Sequence, residues 1–565
     1  MRKKYLLILI LILASFLRLW KLSEVPVSLF GDELDVGYHA YSISQTGRDY
    51  YGNFMPLHFH SLAEWRTPLY LYSAVPTVAT FGISPLGVRL PAAIFGILGV
   101  WGLYLFVKKV FKNEKIAVLS AFFLSLSPWH IQYSRAAFEV TQLIAFLLFG
   151  LYFFFSALEN KGKKLWVSAL FLTLMPWVYS SAKLFTPFLM LLLFVIWFKK
   201  IVNIQKKNLI LAAITGLIIG LPLVYSVFWG GAAQRFSYIS VMTNPSTEHE
   251  VGVARLHDGM YRQSQGGELS LKLKDRLFHN KYTFWANDIV NNYFDSFSSD
   301  FLFYEGDRNL RHSPAGVGQF YPVEALALLL GLVFYFSGSN VDLQRKAFLA
   351  GWLILSVIPS AITREGGTHA TRLILMLPPL IILISWGVSK IKNKLLLLGY
   401  VGFFILGLVF YQHNYWVHYP WNSERWWHAG FEQSFDYVKQ HEDNYQNIVI
   451  STAKEPPWIF FAAWYQYPPS DWQANFPIEN KTALEGYGDV SYIDKFYFGS
   501  PQKGVFSWSE IIDSSTLYLA SATEVPMNLI LEPDRVPPGL VLKHAVAYPS
   551  GEPAFYLFTG RDADE

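Results

Sequence analysis

Apolar residues in this chain do not alternate with polar ones; they gather in runs parted by short charged connectors. The runs cover 5–20, 87–107, 116–132, 140–158, 165–178, 184–198, 209–229, 320–336, 347–362, 373–388 and 395–411. A stretch that is apolar on every helical face suits a helix in hydrocarbon, and roughly 20 residues are needed to cross a bilayer. The pattern predicts about eleven transmembrane helices, several short enough to be tilted or interrupted by proline. After Tyr411 the pattern changes. Residues 431–440 read as an amphipathic helix, 448–450 and 517–520 as short strands, and 555–558 as a final strand. The expected architecture is a polytopic α-helical membrane region over 1–411, followed by a small α/β domain over 412–565. No solenoid-type repeat of 20 to 50 residues is visible.

The connectors set the orientation. Alternate connectors carry Arg2, Lys3 and Lys4; Lys108, Lys109, Lys112 and Lys115; Lys161, Lys163 and Lys164; Lys199, Lys200, Lys206 and Lys207; Arg345 and Lys346; and Lys390, Lys392 and Lys394. Their only acids are Glu114, Glu159 and Asp342. Such a bias places these connectors and the N-terminus in the cytoplasm of a plasma or inner membrane. Loops 21–86 and 230–319, the short 363–372 loop and the region from Gln412 then lie outside. The first run has the basic start and apolar centre of a secretory signal, but Arg18, Leu19, Trp20 and Lys21 follow it where small residues would mark cleavage, so an uncleaved anchor is expected.

Composition agrees. Hydrophobic residues make up 52% of the chain, aromatics 17% and charged residues 16%, which excludes an ordinary soluble enzyme. A net charge of +4 with the bases held in connectors offers no nucleic-acid face. Without cysteine there is no disulfide, thiolate metal site or cysteine nucleophile.

Candidate chemistry therefore sits in the outer loops. Phe30-Gly31-Asp32-Glu33-Leu34-Asp35 places three carboxylates about ten residues past the first run. A carboxylate there can take a proton from an acceptor, but the same residues suit a solvated loop or the start of a helix, where acids favour the dipole. Arg66, in Glu64-Trp65-Arg66-Thr67-Pro68-Leu69-Tyr70, offers a bidentate fork to phosphate; alone it reads as an interface anchor between Trp65 and Tyr70. Arg135 and Glu139, after Ser127-Pro128-Trp129-His130, are spaced to pair on one helix face. Lys183 suits a snorkelling side chain or a phosphate contact. The 301–313 loop carries Asp307, Arg311 and His312, and 366–372 carries His369 and Arg372. Arg372 begins an apolar helix, where the helix dipole adds to its charge, although arginine also marks span ends.

Together these motifs resemble bacterial members of glycosyltransferase family 39, within the GT-C superfold that includes protein O-mannosyltransferases and the aminoarabinose lipid A transferase. The resemblance covers about 5–411, and only its combination of motifs is specific. It implies a GT-C transmembrane region, with Asp32 as catalytic base, Glu33 as its neighbour, and Arg66, Arg372 and Lys183 on the donor phosphate. It places Arg135, Glu139, Asp307, Arg311, His312 and His369 in substrate binding. Relatives often carry Lys-Pro-Pro where this chain has Arg66-Thr67-Pro68, which keeps the charge and alters its geometry. Asp32, Glu33 and Asp35 are a possible oxygen-ligand set for Mg²⁺ or Mn²⁺, and a metal-free site is equally open. The reaction implied is inverting transfer of a sugar from a polyprenyl-phosphate donor to a protein, lipid or glycan acceptor at the outer face. Two other classes remain: a transporter or flippase, which would carry ionisable residues in mid-span and inverted repeats, and a membrane-anchored assembly protein working through residues 412–565.

Overall fold

The computed structural model describes residues 2–61, 64–230, 234–339, 341–453, 455–476 and 480–561. Each apolar run of the sequence is helical. Among the described residues, six helices are long and apolar enough to cross a membrane: Pro85–Phe111, Val140–Glu159, Ala182–Ile201, Lys206–Trp229, Ala370–Lys390 and Lys394–Ser423. Tyr5–Leu19, Leu165–Val178 and Glu324–Ser337 are shorter apolar helices. The molecule is a multi-pass membrane protein. The run at 116–132 is not one helix; it divides into Glu114–Leu126 and Pro128–Ser134. Pro128 has no N–H to continue the first segment, and the Ser127 hydroxyl restarts the helix by accepting from the His130 N–H.

The basic connectors meet at one end of the bundle. Lys109 pairs with Glu159, Lys115 reaches the Ser389 carbonyl at 3.4 Å, Asn208 the Lys161 carbonyl at 3.0 Å, and Gln344 the Ile196 carbonyl at 2.8 Å. The candidate residues collect at the other end. There the first long loop folds into the helix Gly31–Thr46, a hairpin of Phe59–Ser61 with Glu64–Arg66, and the helix Pro68–Phe81.

The expected strands and amphipathic helix of the C-terminal region form as Phe431–His441, Asn447–Ile450, Thr516–Ser521 and Pro553–Gly560. They belong to a seven-stranded mixed sheet ordered Lys481–Leu484, Gly488–Ile493, Phe496–Phe498, Asn447–Ile450, Thr516–Ser521, Pro553–Gly560 and Leu540–Ala547. Alternation along the central strands serves two cores. Ile448, Ile450, Leu517 and Leu519 join one with Phe431 and Phe461, whereas Val449, Tyr518 and Ala520 join another with Trp508 and Phe558. The change of pattern at Gln412 is not a break in the backbone, because the helical run continues to Ser423. The first of those cores also takes in Leu34, Tyr38 and Tyr50, so the sheet region packs directly on the helix that carries Asp32. Hydrogen bonds across the contact include Tyr38 Oη to the Tyr467 carbonyl at 3.0 Å and Gln473 Nε2 to Ser42 Oγ at 2.9 Å and to the Asp49 carbonyl at 2.8 Å.

Candidate active site

The three early carboxylates are not in a loop; they start the helix Gly31–Thr46, with Phe30 at its N-cap. Helical geometry then gives each a separate fate, since neighbours on a helix point about 100° apart. Asp32 faces outward, half exposed, and its Oδ1 lies 2.8 Å from Arg66 Nη2. Glu33 turns into the protein. It is fully buried, held by Arg89 through Nε and Nη2 at 2.8 Å each, and accepts the Ala137 N–H at 2.7 Å. Arg89 also donates to the carbonyls of Pro26 and Ser28, so Glu33 is the centre of a closed network at the base of the site. Asp35, again buried, accepts from Tyr50 Oη and Ser61 Oγ at 2.7 Å each, with Arg66 Nη1 at 3.7 Å. Burial pushes the Asp35 carboxyl above the usual range, and the Arg66 charge opposes that shift. The three carboxylates therefore do not converge as a metal site, because Glu33 is committed to Arg89 and Asp35 to two hydroxyls.

Arg66 ends the second strand of the hairpin, and Thr67 Oγ1 anchors the exit from that strand to the Val178 carbonyl at 2.7 Å. Its guanidinium spans Asp32 and Asp35, and it also donates to the Asp32 carbonyl at 3.1 Å.

A second cluster faces it. Gly306 has φ of +71°, and a Cβ there would meet the Val317 carbonyl oxygen at 2.3 Å, so the turn that delivers Asp307 requires glycine. Asp307 accepts from Asn309 N–H at 2.9 Å, from Ala370 N–H at 2.9 Å and from His312 Nδ1 at 2.8 Å. Burial raises its pKa, but the His312 hydrogen bond and the nearby His312 and His369 charges outweigh burial, leaving the carboxyl below its ordinary value. The His312 and His369 rings lie 4.9 Å apart. Ligand atoms of Asp307, His312 and His369 fall within 4.8 Å of one another, which makes them the set among the described residues suited to a divalent cation.

Arg372 donates from Nη1 to Thr363 Oγ1 at 2.7 Å and to the Arg364 carbonyl at 2.9 Å. The Arg311 guanidinium lies over the Phe30 ring at 4.9 Å and near the Trp426 ring at 5.7 Å. A polar cavity of about 220 Å³ gathers Asp32, Arg66, Glu139, Arg311, His312, His369 and Arg372. Arg372 also lines an apolar cavity of about 300 Å³ with Lys183, Leu184, Val227 and Phe236.

Arg135 stands outside these cavities. Fully buried, it donates to the carbonyls of Leu17, Trp20, Lys21 and Val25 at 2.7 to 3.1 Å. It fastens the exit of the first helix, and the stretch between Arg135 and Glu139 is not helical, so the expected i,i+4 pair has no helix face to form on. Arg89, Tyr50 and Trp426 were not foreseen as site residues. An arginine inside the apolar run 87–107 was the available signal for Arg89; nothing local marked the other two.

Residues 66–226 match the family model described as dolichyl-phosphate-mannose-protein mannosyltransferase. A dolichyl-phosphooligosaccharide-protein glycotransferase 2 of Pyrococcus horikoshii is 41% identical over 83 residues, which is 14% of this chain and only 10% of that relative. The structure of ArnT from Cupriavidus metallidurans, bound to undecaprenyl phosphate, superposes with a TM-score of 0.53 at 10% identity, covering 98% of this chain and 97% of that one. The chain therefore has the GT-C fold, and its segment 66–226 matches the dolichyl-phosphate-mannose-protein mannosyltransferase family.

Proposed function

We propose that the protein is a glycosyltransferase that moves a sugar from a polyprenyl-phosphate donor to an acceptor at the outer face of the membrane, with inversion at the anomeric carbon. The observation that carries this reading is Arg372, which lines both the polar cavity holding Asp32 and the apolar cavity holding Lys183. An apolar recess suits a prenyl tail, and cations at its inner end suit the phosphate it bears. Asp32 takes the acceptor proton as the acceptor oxygen attacks the anomeric carbon. The bond from that carbon to phosphate breaks, and the leaving phosphate keeps its charge against Arg66, Arg372 and Lys183. No second carboxylate is required, because phosphate leaves without a proton. Glu33 positions the helix that carries Asp32. A divalent cation on Asp307, His312 and His369 would supply further positive charge beside the phosphate.

In this reading all eleven apolar runs cross the membrane, with the basic connectors and the N-terminus cytoplasmic and residues 412–565 outside. Arg18, buried among the apolar helices, donates to the Ala14, Leu124 and Ser125 carbonyls, which argues against a transport path through it. The test is purified protein in vesicles with a labelled polyprenyl-phosphate sugar. Cleavage of the donor that requires Asp32 supports the transferase; movement of intact donor between leaflets supports a flippase.

A further inference from the structure

Beyond the catalytic cavity lies a larger one of about 840 Å³, bounded by 292–312, 364–372 and Trp426. Asn309, His312, His369 and Arg372 line both cavities, so a group held in the larger one reaches the surroundings of Asp32 without crossing the donor recess. Its size falls in the roughly 300–1,000 Å³ range of ligand sites, whereas the catalytic cavity has room for little more than one sugar ring.

The lining carries unspent hydrogen-bonding capacity of both kinds. Asp300, Glu305 and Arg308 make no side-chain hydrogen bond or ion pair among the described residues. Carboxylates accept and guanidinium donates, and a hydroxyl does both. At the rim, Trp426 is 40% exposed and offers an amphipathic ring next to Arg311. Charge narrows the choice of ligand: away from the Asp307, His312 and His369 cluster, Asp295, Asp300, Glu305 and Glu365 outnumber Arg308, Arg364 and Arg372, which gives an anionic acceptor no excess of cations to bind. Backbone geometry narrows it again. The walls are helix and loop, with no strand edge among the described residues on which an extended peptide could pair.

We propose that this cavity is the acceptor subsite and that it takes a neutral, polyhydroxylated glycan, one of whose hydroxyls is presented to Asp32. The proposal rests on the donor reading above. Trp426, from beyond the last apolar run, and Glu305, from the 230–319 loop, hold the glycan; neither lines the two cavities assigned to the donor.

The experiment uses the purified full-length protein in lipid nanodiscs and three probes: a panel of neutral hexose and pentose oligosaccharides, serine- and threonine-rich peptides, and undecaprenyl phosphate. Binding of at least one neutral oligosaccharide, weakened roughly tenfold by both Trp426→Ala and Glu305→Gln, is the expected result. Peptide binding in place of glycan binding, glycan binding unchanged in both variants, or no glycan binding while undecaprenyl phosphate still binds would each overturn it. Failure of undecaprenyl phosphate to bind would instead bring down the donor reading, and the acceptor assignment with it.

Discussion

Arg66 and Asp32 form an ion pair of 2.8 Å in the lining of the polar cavity, with the buried Asp35 behind the same guanidinium at 3.7 Å. One arginine thus holds a half-exposed carboxylate and leans on a second that cannot reach solvent. The arrangement holds the fork and the Asp32 carboxylate together at one wall of the polar cavity.

Asp32→Asn keeps the shape of the side chain and removes its basicity. Transfer is expected to fall at least about a hundredfold, the low end of a general base's contribution, while detergent-solubilised protein elutes and melts as the wild type does. Near-normal turnover with a defined donor would remove Asp32 from the base role.

For the cationic side, Arg66→Ala and Arg372→Ala are each expected to weaken binding of undecaprenyl phosphate. Lysine at either place should rescue only in part, because a point charge does not replace the bidentate fork. Unchanged lipid affinity in both alanine variants would return these residues to the role of interface anchors.

Glu33 and Arg89 are expected to matter for folding before catalysis. Arg89→Met leaves a fully buried carboxylate without its partner, a change that costs about 3–5 kcal/mol. The measurable outcome is a markedly lower melting temperature and yield. A variant that is stable yet inactive would show instead that Glu33 faces the reaction.

The face of the membrane on which the work occurs can be read by labelling a chain that has no native cysteine. Exposed probes at Thr452→Cys and Asp534→Cys should react with an impermeant thiol reagent in intact cells, whereas Asn113→Cys and Asn203→Cys should react only after the membrane is opened. The reverse pattern would invert the topology, and with it the need for a lipid-linked donor.

Part of the molecule follows from the order of residues alone. Hydrocarbon cannot satisfy a backbone N–H or carbonyl, so a long apolar run that crosses it must close its own hydrogen bonds as helix; the runs from 5–20 to 395–411 are helical, six of the described helices being long and apolar enough to cross. Short β-like apolar runs likewise marked the central strands at 448–450 and 517–520, whose faces serve two cores. The outer chemistry was legible as a set of residues: Asp32, Arg66, Arg311, His312, His369 and Arg372 do share one cavity.

What each residue does was decided by folding. Asp32, Glu33 and Asp35 are near-equivalent as text, but a helix starting at Gly31 turns one to the cavity, one to Arg89 and one to Tyr50 and Ser61. Arg135 and Arg372 look alike beside apolar runs, yet four backbone carbonyls consume the first and three cavities meet at the second. Trp426 and Tyr50 carry no local signal at all, since Tyr50 takes its place in the core between the C-terminal sheet and the helix Gly31–Thr46, and Trp426 beside Arg311 of a distant loop. Short-range pattern fixes backbone hydrogen bonding; the partner of a charged side chain is set by residues far away in the chain, and only the packed tertiary structure brings them together.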